Sequence, residues 1–293
     1  MNLLQTAVDA LNLGAIYALA ALGVGLIFSV MRLINFAHGE LITAAGFTLY
    51  MLEGQPLWVR IGGAIAAPVM LALAMERIAF RPLRNANPAT LLVASFALSY
   101  LLQHLVVMTY GARPIGVSLL PVLSNSITIG ELRIPLLEVA TLMATLVLLG
   151  GLVLFFRRSS LGIQMRAAAE DFTMARLVGI KSNRVIAAAF AMSGLLAACL
   201  AIYQVAQSGT ISYRMGVDVV LIAFVAAVIG GMGSLTGAAL GGLLVGVTSV
   251  GLQTFLPADY RPYRDAFLFA VFIAFLIGRP EGLMSRKAHR ERI

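Results

Sequence analysis

The stretch VVLIAFVAAVIGGMGSLTGAALGGLLVGVTSVGLQTFLPA, residues Val219 to Ala258, decides the fold class because it contains no charged residue. As one helix it would be about 60 Å long, twice the ~30 Å hydrocarbon core of a bilayer. The helix must therefore break, and glycine is the ordinary residue with the highest helical cost. Three glycines and a serine mark the predicted break: Gly230, Gly231, Gly233 and Ser234.

The composition extends this conclusion to the whole chain. Its 293 residues are 60% hydrophobic and 12% charged, with a mean hydropathy of +0.93, whereas soluble domains are about 25% charged. Further uncharged runs lie at Ala10–Met31, Leu41–Leu52, Ile61–Met75, Asn85–Ala112, Val139–Phe156, Val185–Tyr213 and Ala266–Gly278. We predict one all-α, polytopic transmembrane domain over residues 1–293 with eight or nine spans. Leu41–Leu52 either crosses the bilayer or is a short re-entrant segment.

The net charge of +8 does not indicate nucleic-acid binding. That function requires basic residues clustered on a soluble face together with base-stacking aromatic residues. Here the basic residues lie at the ends of apolar runs, as they do in membrane proteins. We therefore expect a lipid bilayer, and no nucleic acid, as the surroundings of this chain.

A polar, basic stretch interrupts the apolar sequence at Arg157–Arg184, here called the polar loop. With Arg32–His38, Arg77–Pro88 and the tail from Arg279, it holds 15 of the 21 basic residues. The positive-inside rule places these segments in the cytoplasm and the C-terminus with them. The side of the N-terminus depends on whether Leu41–Leu52 crosses, but the polar loop is cytoplasmic under both counts.

Polar residues inside the spans are few. Glu40, Glu138 and Asp218 lie at predicted span ends, where we expect water and headgroups to solvate them. Ser95, Ser99 and Gln103 lie on one face of the fourth segment because they are four residues apart. Two interpretations are open for this face: it lines a pathway for a small neutral or zwitterionic solute, or it forms hydrogen bonds between helices.

Chemistry that would supply energy is missing from the sequence. The chain has two lysines and no Gly-x-x-x-x-Gly-Lys-Ser/Thr phosphate loop, which is the motif that binds ATP phosphates. Carriers driven by protons or sodium ions usually need ionisable groups inside the membrane. His104 is the only imidazole expected there, and we interpret it as a histidine near the outer end of a helix, hydrogen-bonded to a neighbour, rather than as a proton relay. We therefore predict no enzymatic activity, no cofactor and no metal site. Either the energy comes from another protein or the chain is a passive pore.

Four segments of the sequence resemble a known family. They are LGAIYALAALGVGLIF at Leu13–Phe28, INFAHGEL at Ile34–Leu41, RAAAEDFTMARLVGIKSNRVIAAAFAMSGLLAACLAIY at Arg166–Tyr203 and AAVIGGMGSLTGAALGGLLVG at Ala226–Gly246. They are similar to ABC importer permeases of the branched-chain amino-acid type (LivH-like). The resemblance spans nearly the whole chain and implies a type II-like permease fold in the bacterial inner membrane.

The resemblance also implies partners and a coupling surface. Such a permease pairs with a second homologous permease, rests on two cytoplasmic ATPase subunits and receives substrate from an external binding protein. The polar loop would be the coupling loop, with a docking helix within Arg166–Leu177 that ends at Gly179. The residues expected to carry the coupling are Arg166, Glu170, Asp171, Ala175 and Gly179.

Helix propensity is consistent with this docking helix. Ala167–Ala169 favour a helix, and Gly179 is a plausible C-terminal stop. Glu170 and Asp171 in the first turns suit the helix dipole. An amphipathic helix resting on anionic headgroups is the alternative, but it explains these two acidic residues less well.

Two local structures and the substrate complete the predictions. Asn35 and His38 are expected to cap a turn between helices, and the TIGELRIP segment at Thr128–Pro135 is compatible with a hairpin on the outer surface. The family resemblance favours branched-chain amino acids as the substrate. A permease of the same family for urea or short amides is one alternative. An autonomous channel or carrier for a small neutral solute is the other.

Overall fold

The computed structural model describes residues 3–119, 126–129 and 132–284, which are mostly helical. The helices are α1 Leu3–Met31, α2 His38–Met51, α3 Leu57–Met75, α4 Pro88–Tyr110, α5 Leu136–Arg158, α6 Ser160–Glu170, α7 Phe172–Leu177, α8 Ser182–Ser208, α9 Met215–Gly230, α10 Leu235–Phe255 and α11 Arg264–Gly278. A π-helix, Glu76–Phe80, continues α3, and a 3₁₀ helix, Ala258–Tyr263, precedes α11. Four short strands are β1 Ile115–Gly116, β2 Ser126–Ile129, β3 Leu132–Pro135 and β4 Thr210–Ile211.

Each hydrophobic run of the sequence corresponds to a helix, and the run at Val219–Ala258 forms two, α9 and α10. Among the described residues, six helices are long and apolar enough to cross a membrane: α1, α3 with its π-helix, α4, α5, α8 and α10. Helices α2, α9 and α11 have 14, 16 and 15 residues. They are about 21–24 Å long, less than the ~30 Å hydrocarbon core. The predicted total of eight or nine spans therefore requires that two or all three of these shorter helices also cross the membrane.

Helix α1 lies at the centre of the bundle and packs along α10, α8 and α9. Its contact with α10 is made through small residues. A Cβ on Gly246 would overlap the backbone of Gly14, and a Cβ on Gly242 would overlap the backbone of Ala18. Close approach of this kind lets van der Waals contacts hold helices together in lipid, where the hydrophobic effect between helices is missing.

The turn between α9 and α10 lies in the glycine-rich segment. Gly231 and Gly233 adopt φ values of 102° and 94°, which L-residues rarely adopt. Ser234 then caps α10, its Oγ accepting a hydrogen bond from the Gly237 nitrogen at 3.0 Å. Beyond the turn the two helices run back against each other so closely that a Cβ on Gly237 would overlap the Gly230 carbonyl.

The segment after α11 returns to this turn. The Leu283 nitrogen donates to the Ile229 oxygen at 2.7 Å, and the Met284 nitrogen donates to the Gly230 oxygen at 3.1 Å. The last carbonyls of a helix have no partner within the helix itself. The end of α9 is therefore completed by backbone that lies more than 50 residues further along the chain.

The strands join loops rather than build a core. β1 pairs antiparallel with β4 and so connects the segment after α4 to the segment after α8. β2 pairs antiparallel with β3, Thr128 opposite Arg133 and Ile129 opposite Leu132. This pairing confirms the hairpin predicted within TIGELRIP, although Gly130 and Glu131 at its turn lie outside the described residues.

Candidate functional site

The polar loop begins with a sharp reversal at the end of α5. The Ser159 Oγ accepts a hydrogen bond from the Gly162 nitrogen at 2.9 Å and caps α6. Gly162 lies so close to the Phe155 carbonyl that a Cβ would overlap it. Helix α6 can therefore fold back against α5, and Met165 and Ala168 on its inner face are buried. We call this end of the bundle, which carries the polar loop, the loop end.

A second, shorter helix follows directly. The Asp171 Oδ1 accepts hydrogen bonds from the nitrogens of Thr173 and Met174, both at 2.9 Å. This is the geometry of an N-cap, and it satisfies two of the unpaired amides at the start of α7. Ala175 is the buried residue of α7, and it fixes this helix to the rest of the loop.

A glycine ends α7. Gly179 has a φ of 89°, its nitrogen donates to the Arg176 oxygen at 3.0 Å, and the Ile180 nitrogen donates to the Ala175 oxygen at 3.0 Å. A left-handed residue that closes the last carbonyls in this way is the usual C-terminal stop of a helix. The chain then enters α8, which returns into the bundle.

The structure divides the predicted docking range Arg166–Leu177 between two helices. α6 ends at Glu170 and α7 begins at Phe172. The placement of Glu170 in a first helical turn is therefore wrong, because Asp171 interrupts the helix to cap α7. Helix α7 begins at the Asp171 cap, is buried at Ala175 and ends at Gly179. Arg166 lies on the preceding helix, α6.

The exposed tip of α7 is apolar, which the sequence reasoning missed. Met174 is 59% exposed, Leu177 76% and Val178 79%. Large apolar side chains in the middle of a basic, polar loop were the signal that could have revealed this surface. An exposed apolar patch rimmed by polar residues is typical of a protein-interaction site.

A basic cleft of about 690 Å³ lies beside this tip. It is formed by the segment that follows the π-helix and by the connection from α7 to α8. Five basic side chains line it: Arg81, Arg84, Arg176, Lys181 and Arg184. None of the described residues that line the cleft is acidic, so positive charge lies beside the apolar tip, while the acidic Glu170 and Asp171 are exposed immediately before α7.

Glu76 holds one wall of the cleft in place. Its side chain is 1% exposed and accepts two hydrogen bonds from Arg81, at 2.8 and 3.1 Å. This hydrogen bonding raises the pKa of the Arg81 guanidinium above its ordinary value. Arg84 reaches the same carboxylate at 3.5 Å and donates to Asn183 Oδ1 at 2.8 Å, which ties this wall to α8.

A buried polar cluster lies between α2 and α4. The Glu40 Oε1 accepts hydrogen bonds from Ser99 Oγ at 2.9 Å and from Gln103 Nε2 at 3.0 Å. Glu40 is 2% exposed, so the expectation that water and headgroups solvate it at a span end is wrong. Its second oxygen is buried without a partner among the described residues. Helix α2 packs inside the bundle and carries the carboxylate there.

Ser95, the third member of the predicted polar face, contacts the connection between α1 and α2. Its Oγ lies 3.3 Å from the Ile34 oxygen and accepts a hydrogen bond from the Phe36 nitrogen at 3.4 Å. The Phe36 ring stacks on Phe96, with 4.1 Å between the ring centroids. All three residues of the face therefore make contacts between elements, which is one of the two interpretations left open by the sequence.

Asn35 and His38 have different roles. The Asn35 Oδ1 accepts from the Ala37 nitrogen at 3.1 Å, which is the predicted turn. His38 does not cap it: its ring is fully buried, and its Nδ1 lies 2.9 Å from Ser193 Oγ. Ser193 Oγ also lies 3.1 Å from the Gly23 oxygen of α1, so this hydroxyl contacts both α1 and His38. His38 thus links α2 to α8.

The family of this chain is shown by a sequence match that covers nearly its whole length. Residues 6–276 match the family model described as the permease component of the branched-chain amino acid transport system. The chain belongs to this permease family. The match begins within α1 and ends within α11, so it includes the polar loop, the α9–α10 turn and the buried cluster at Glu40.

Individual permeases of this family are similar over their full length. The high-affinity branched-chain amino acid transport system permease BraD of Pseudomonas aeruginosa is 34% identical, covering 97% of this chain and 96% of BraD. The permease LivH of Escherichia coli is 31% identical over the same shares. The autoinducer 2 import system permease LsrC of Klebsiella pneumoniae is 32% identical over 50% of this chain and 43% of its own length.

As a permease of this family, the chain is a multi-helix membrane protein that acts in transport. In the described part of the chain, two groups of residues are unusual for helix packing in a membrane protein. One is the apolar tip of α7 with its basic cleft, and the other is the buried cluster around Glu40. Sequence reasoning found the polar loop from its charge but missed Glu40, because a carboxylate at the start of a hydrophobic run resembles a solvated span end.

Proposed function

We propose that this chain is the membrane-spanning permease subunit of an ATP-binding-cassette importer for branched-chain amino acids. The exposed apolar tip of α7 carries the proposal. A permease with no ATP-binding motif of its own needs an external motor, and the tip offers that motor a contact. Family membership over residues 6–276 and the names of the full-length relatives support the substrate class.

The polar loop is the proposed contact with the ATPase. Helix α7 inserts its apolar tip into a groove of a cytoplasmic ATPase subunit, and the basic cleft meets acidic side chains beside that groove. Asp171, Ala175 and Gly179 hold α7 in shape, and Arg166 and Glu170 on α6 connect it to the end of α5. Movement of the ATPase is transmitted through this rigid loop to the helices that form the pathway.

The assembly contains two ATPase subunits, a second homologous permease and an external binding protein that delivers the substrate. The proposed location is the bacterial inner membrane, with the loop end and the C-terminus in the cytoplasm. This orientation follows from the concentration of basic residues at the loop end. The β2–β3 hairpin then lies outside, where a binding protein would dock.

The pathway assignment narrows to one member of the polar face. Ser95 and Ser99 are buried against other elements. Gln103 is half-buried, next to Tyr100, which is 66% exposed. We retain Gln103 as the candidate pathway residue, with its Nε2 held by the buried Glu40 Oε1 at 3.0 Å. A side-chain amide both donates and accepts hydrogen bonds, which suits the carboxylate and ammonium groups of a zwitterionic amino acid.

The test of the proposal is ATP-dependent uptake of leucine into proteoliposomes. The assembled transporter, with both permeases, both ATPases and the binding protein, is expected to take up leucine only when ATP is present. Urea and short amides serve as competing substrates, and their transport in place of leucine would reassign the substrate. Uptake by this chain alone without ATP would overturn the proposal in favour of an autonomous channel or carrier.

Docking through the tip of α7 has its own test. Replacing both Leu177 and Val178 by serine removes the exposed apolar surface and leaves the Asp171 cap and the Gly179 stop intact. We expect the variant to insert into the membrane normally but to lose co-purification with the ATPase. A matched control replaces Ile277, which is 79% exposed at the end of α11, by serine. Equal ATPase retention in the two variants would contradict docking through α7.

A further inference from the structure

A second cavity at the loop end, of about 400 Å³, has the lining of a lipid site. It lies between α1, α5, α6 and the first turn of α10. Along α5 its wall is apolar and includes Leu149, Leu152, Val153 and Phe156. Helices α1 and α10 add further aliphatic side chains to the wall. Such a wall suits hydrocarbon rather than a soluble ion.

The other end of the cavity is positively charged. Arg157, in the last turn of α5, and Arg166, on α6, both line it and are both exposed. The hydroxyls of Ser234 and Thr236 at the start of α10 lie in the same lining. None of the described residues in the lining is acidic. Both hydroxyls already have partners, because Ser234 Oγ lies 3.1 Å from Thr236 Oγ1 and Thr236 Oγ1 donates to Met284 Sδ at 3.5 Å. The two guanidinium groups are therefore the donors that the cavity offers to a phosphate.

The spacing along α5 between the apolar wall and Arg157 matches the distance from the acyl chains to the headgroups of a bilayer. From Leu149 to Arg157 the helix rises about 12 Å, close to half of the ~30 Å hydrocarbon core. The apolar wall therefore lies at the depth of acyl chains, and the two arginines lie at the depth of headgroups. A ligand that fills the cavity must be an amphiphile with an anionic head.

We propose that this cavity binds one anionic phospholipid, with its phosphate at Arg157 and Arg166 and an acyl chain along Leu149–Phe156. The headgroup must be anionic because a zwitterionic one would bring an ammonium group close to the two arginines. Phosphatidylglycerol fits this description and phosphatidylcholine does not. The site shares Arg166 with the polar loop but does not include the apolar tip of α7, and its test contains no ATPase.

Native mass spectrometry of the full chain in detergent tests the site, with phosphatidylglycerol and phosphatidylcholine added in turn. We expect the wild-type chain to retain phosphatidylglycerol about tenfold more tightly than phosphatidylcholine. The double variant Arg157→Gln, Arg166→Gln is expected to lose this preference. A charge-matched control, Arg158→Gln with Arg279→Gln, replaces two exposed arginines that do not line the cavity, and it is expected to keep the preference.

The acyl chain is tested separately by filling the cavity. Val153→Trp places a large ring in the apolar wall and should weaken phosphatidylglycerol binding to a similar degree. Leu154→Trp, at the neighbouring and comparably exposed position outside the lining, should leave binding unchanged. Each variant is first shown to be monodisperse by size-exclusion chromatography, so that a misfolded chain is not scored as a loss.

Three results would overturn the proposal. The first is equal retention of the two lipids by the wild-type chain, and the second is unchanged phosphatidylglycerol binding in Arg157→Gln, Arg166→Gln. The third is normal binding in Val153→Trp, which would show that an anion alone is bound and that no acyl chain enters. Because no ATPase is present in these measurements, none of these results bears on the proposed transport function.

Discussion

At the scale of single residues, Gly179 provides the sharpest test of the polar loop. Its φ of 89° costs an L-residue about 1–2 kcal/mol, so Gly179→Ala should loosen the end of α7. Gly179→Pro should do more, because proline has no N–H to donate to the Arg176 oxygen and its ring fixes φ at about −65°. We expect both variants to insert into the membrane, with ATP-dependent uptake reduced in the first and abolished in the second.

Gly54 is the matched control for this glycine. It has a φ of 88°, and a Cβ there would meet no atom within 4 Å, as at Gly179. Gly54→Ala introduces the same local strain in the connection between α2 and α3, far along the chain from the polar loop. If uptake falls equally in Gly54→Ala and Gly179→Ala, backbone strain alone explains the lower uptake. That result would contradict a coupling role for Gly179.

Ser99 provides a second test at this scale. Ser99→Ala removes one of the two donors to the Glu40 Oε1 and leaves a buried carboxylate less well satisfied, which should cost about 1–3 kcal/mol of stability. Thermal unfolding in detergent measures the loss. Thr109→Ala on the same helix is the control, because its hydroxyl bonds only to carbonyls of α4. Similar melting temperatures for the two variants would contradict a stabilising role for the cluster.

At the scale of helices, the contact between α1 and α10 predicts opposite effects for one substitution at two positions of the same helix. Gly246→Ala should lower stability by about 1–3 kcal/mol, because the new Cβ overlaps the backbone of Gly14. Gly251→Ala meets no atom within 4 Å and should raise stability by about 0.5–1 kcal/mol, since alanine favours the helix. The two melting temperatures should therefore move in opposite directions, and a shift in the same direction would contradict the packing argument.

Helices were also the level at which the sequence was most informative. Long uncharged runs predicted α1, α4 and α10 because hydrophobic length is a local property. The position of α2 inside the bundle was not predictable, because it depends on contacts such as that between His38 and Ser193, which lie 155 residues apart. The burial of Glu40 follows from that packing. Its neighbours in the sequence predicted a solvated carboxylate at a span end, which is wrong.

At the scale of the whole molecule, the segment after α11 should contribute to stability through its return to the α9–α10 turn. Ending the chain after Pro280 removes Leu283 and Met284 and leaves the carbonyls of Ile229 and Gly230 without these donors. We expect a loss of about 1–3 kcal/mol, measured by thermal unfolding. A chain that ends after Ser285 keeps both donors and should melt like the wild type. Equal stability of the two truncated chains would show that the return segment contributes nothing.

The return of Leu283 and Met284 has a further consequence for how the protein is made. Helix α9 leaves the ribosome more than 50 residues before its terminal carbonyls can find their partners, which at about 5–20 residues per second is a delay of several seconds. During that interval the Ile229 and Gly230 carbonyls lack these two donors. The end of α9 is therefore completed only after α10, α11 and the return segment have been made, and a chain terminated before Leu283 leaves the Ile229 and Gly230 carbonyls without these donors.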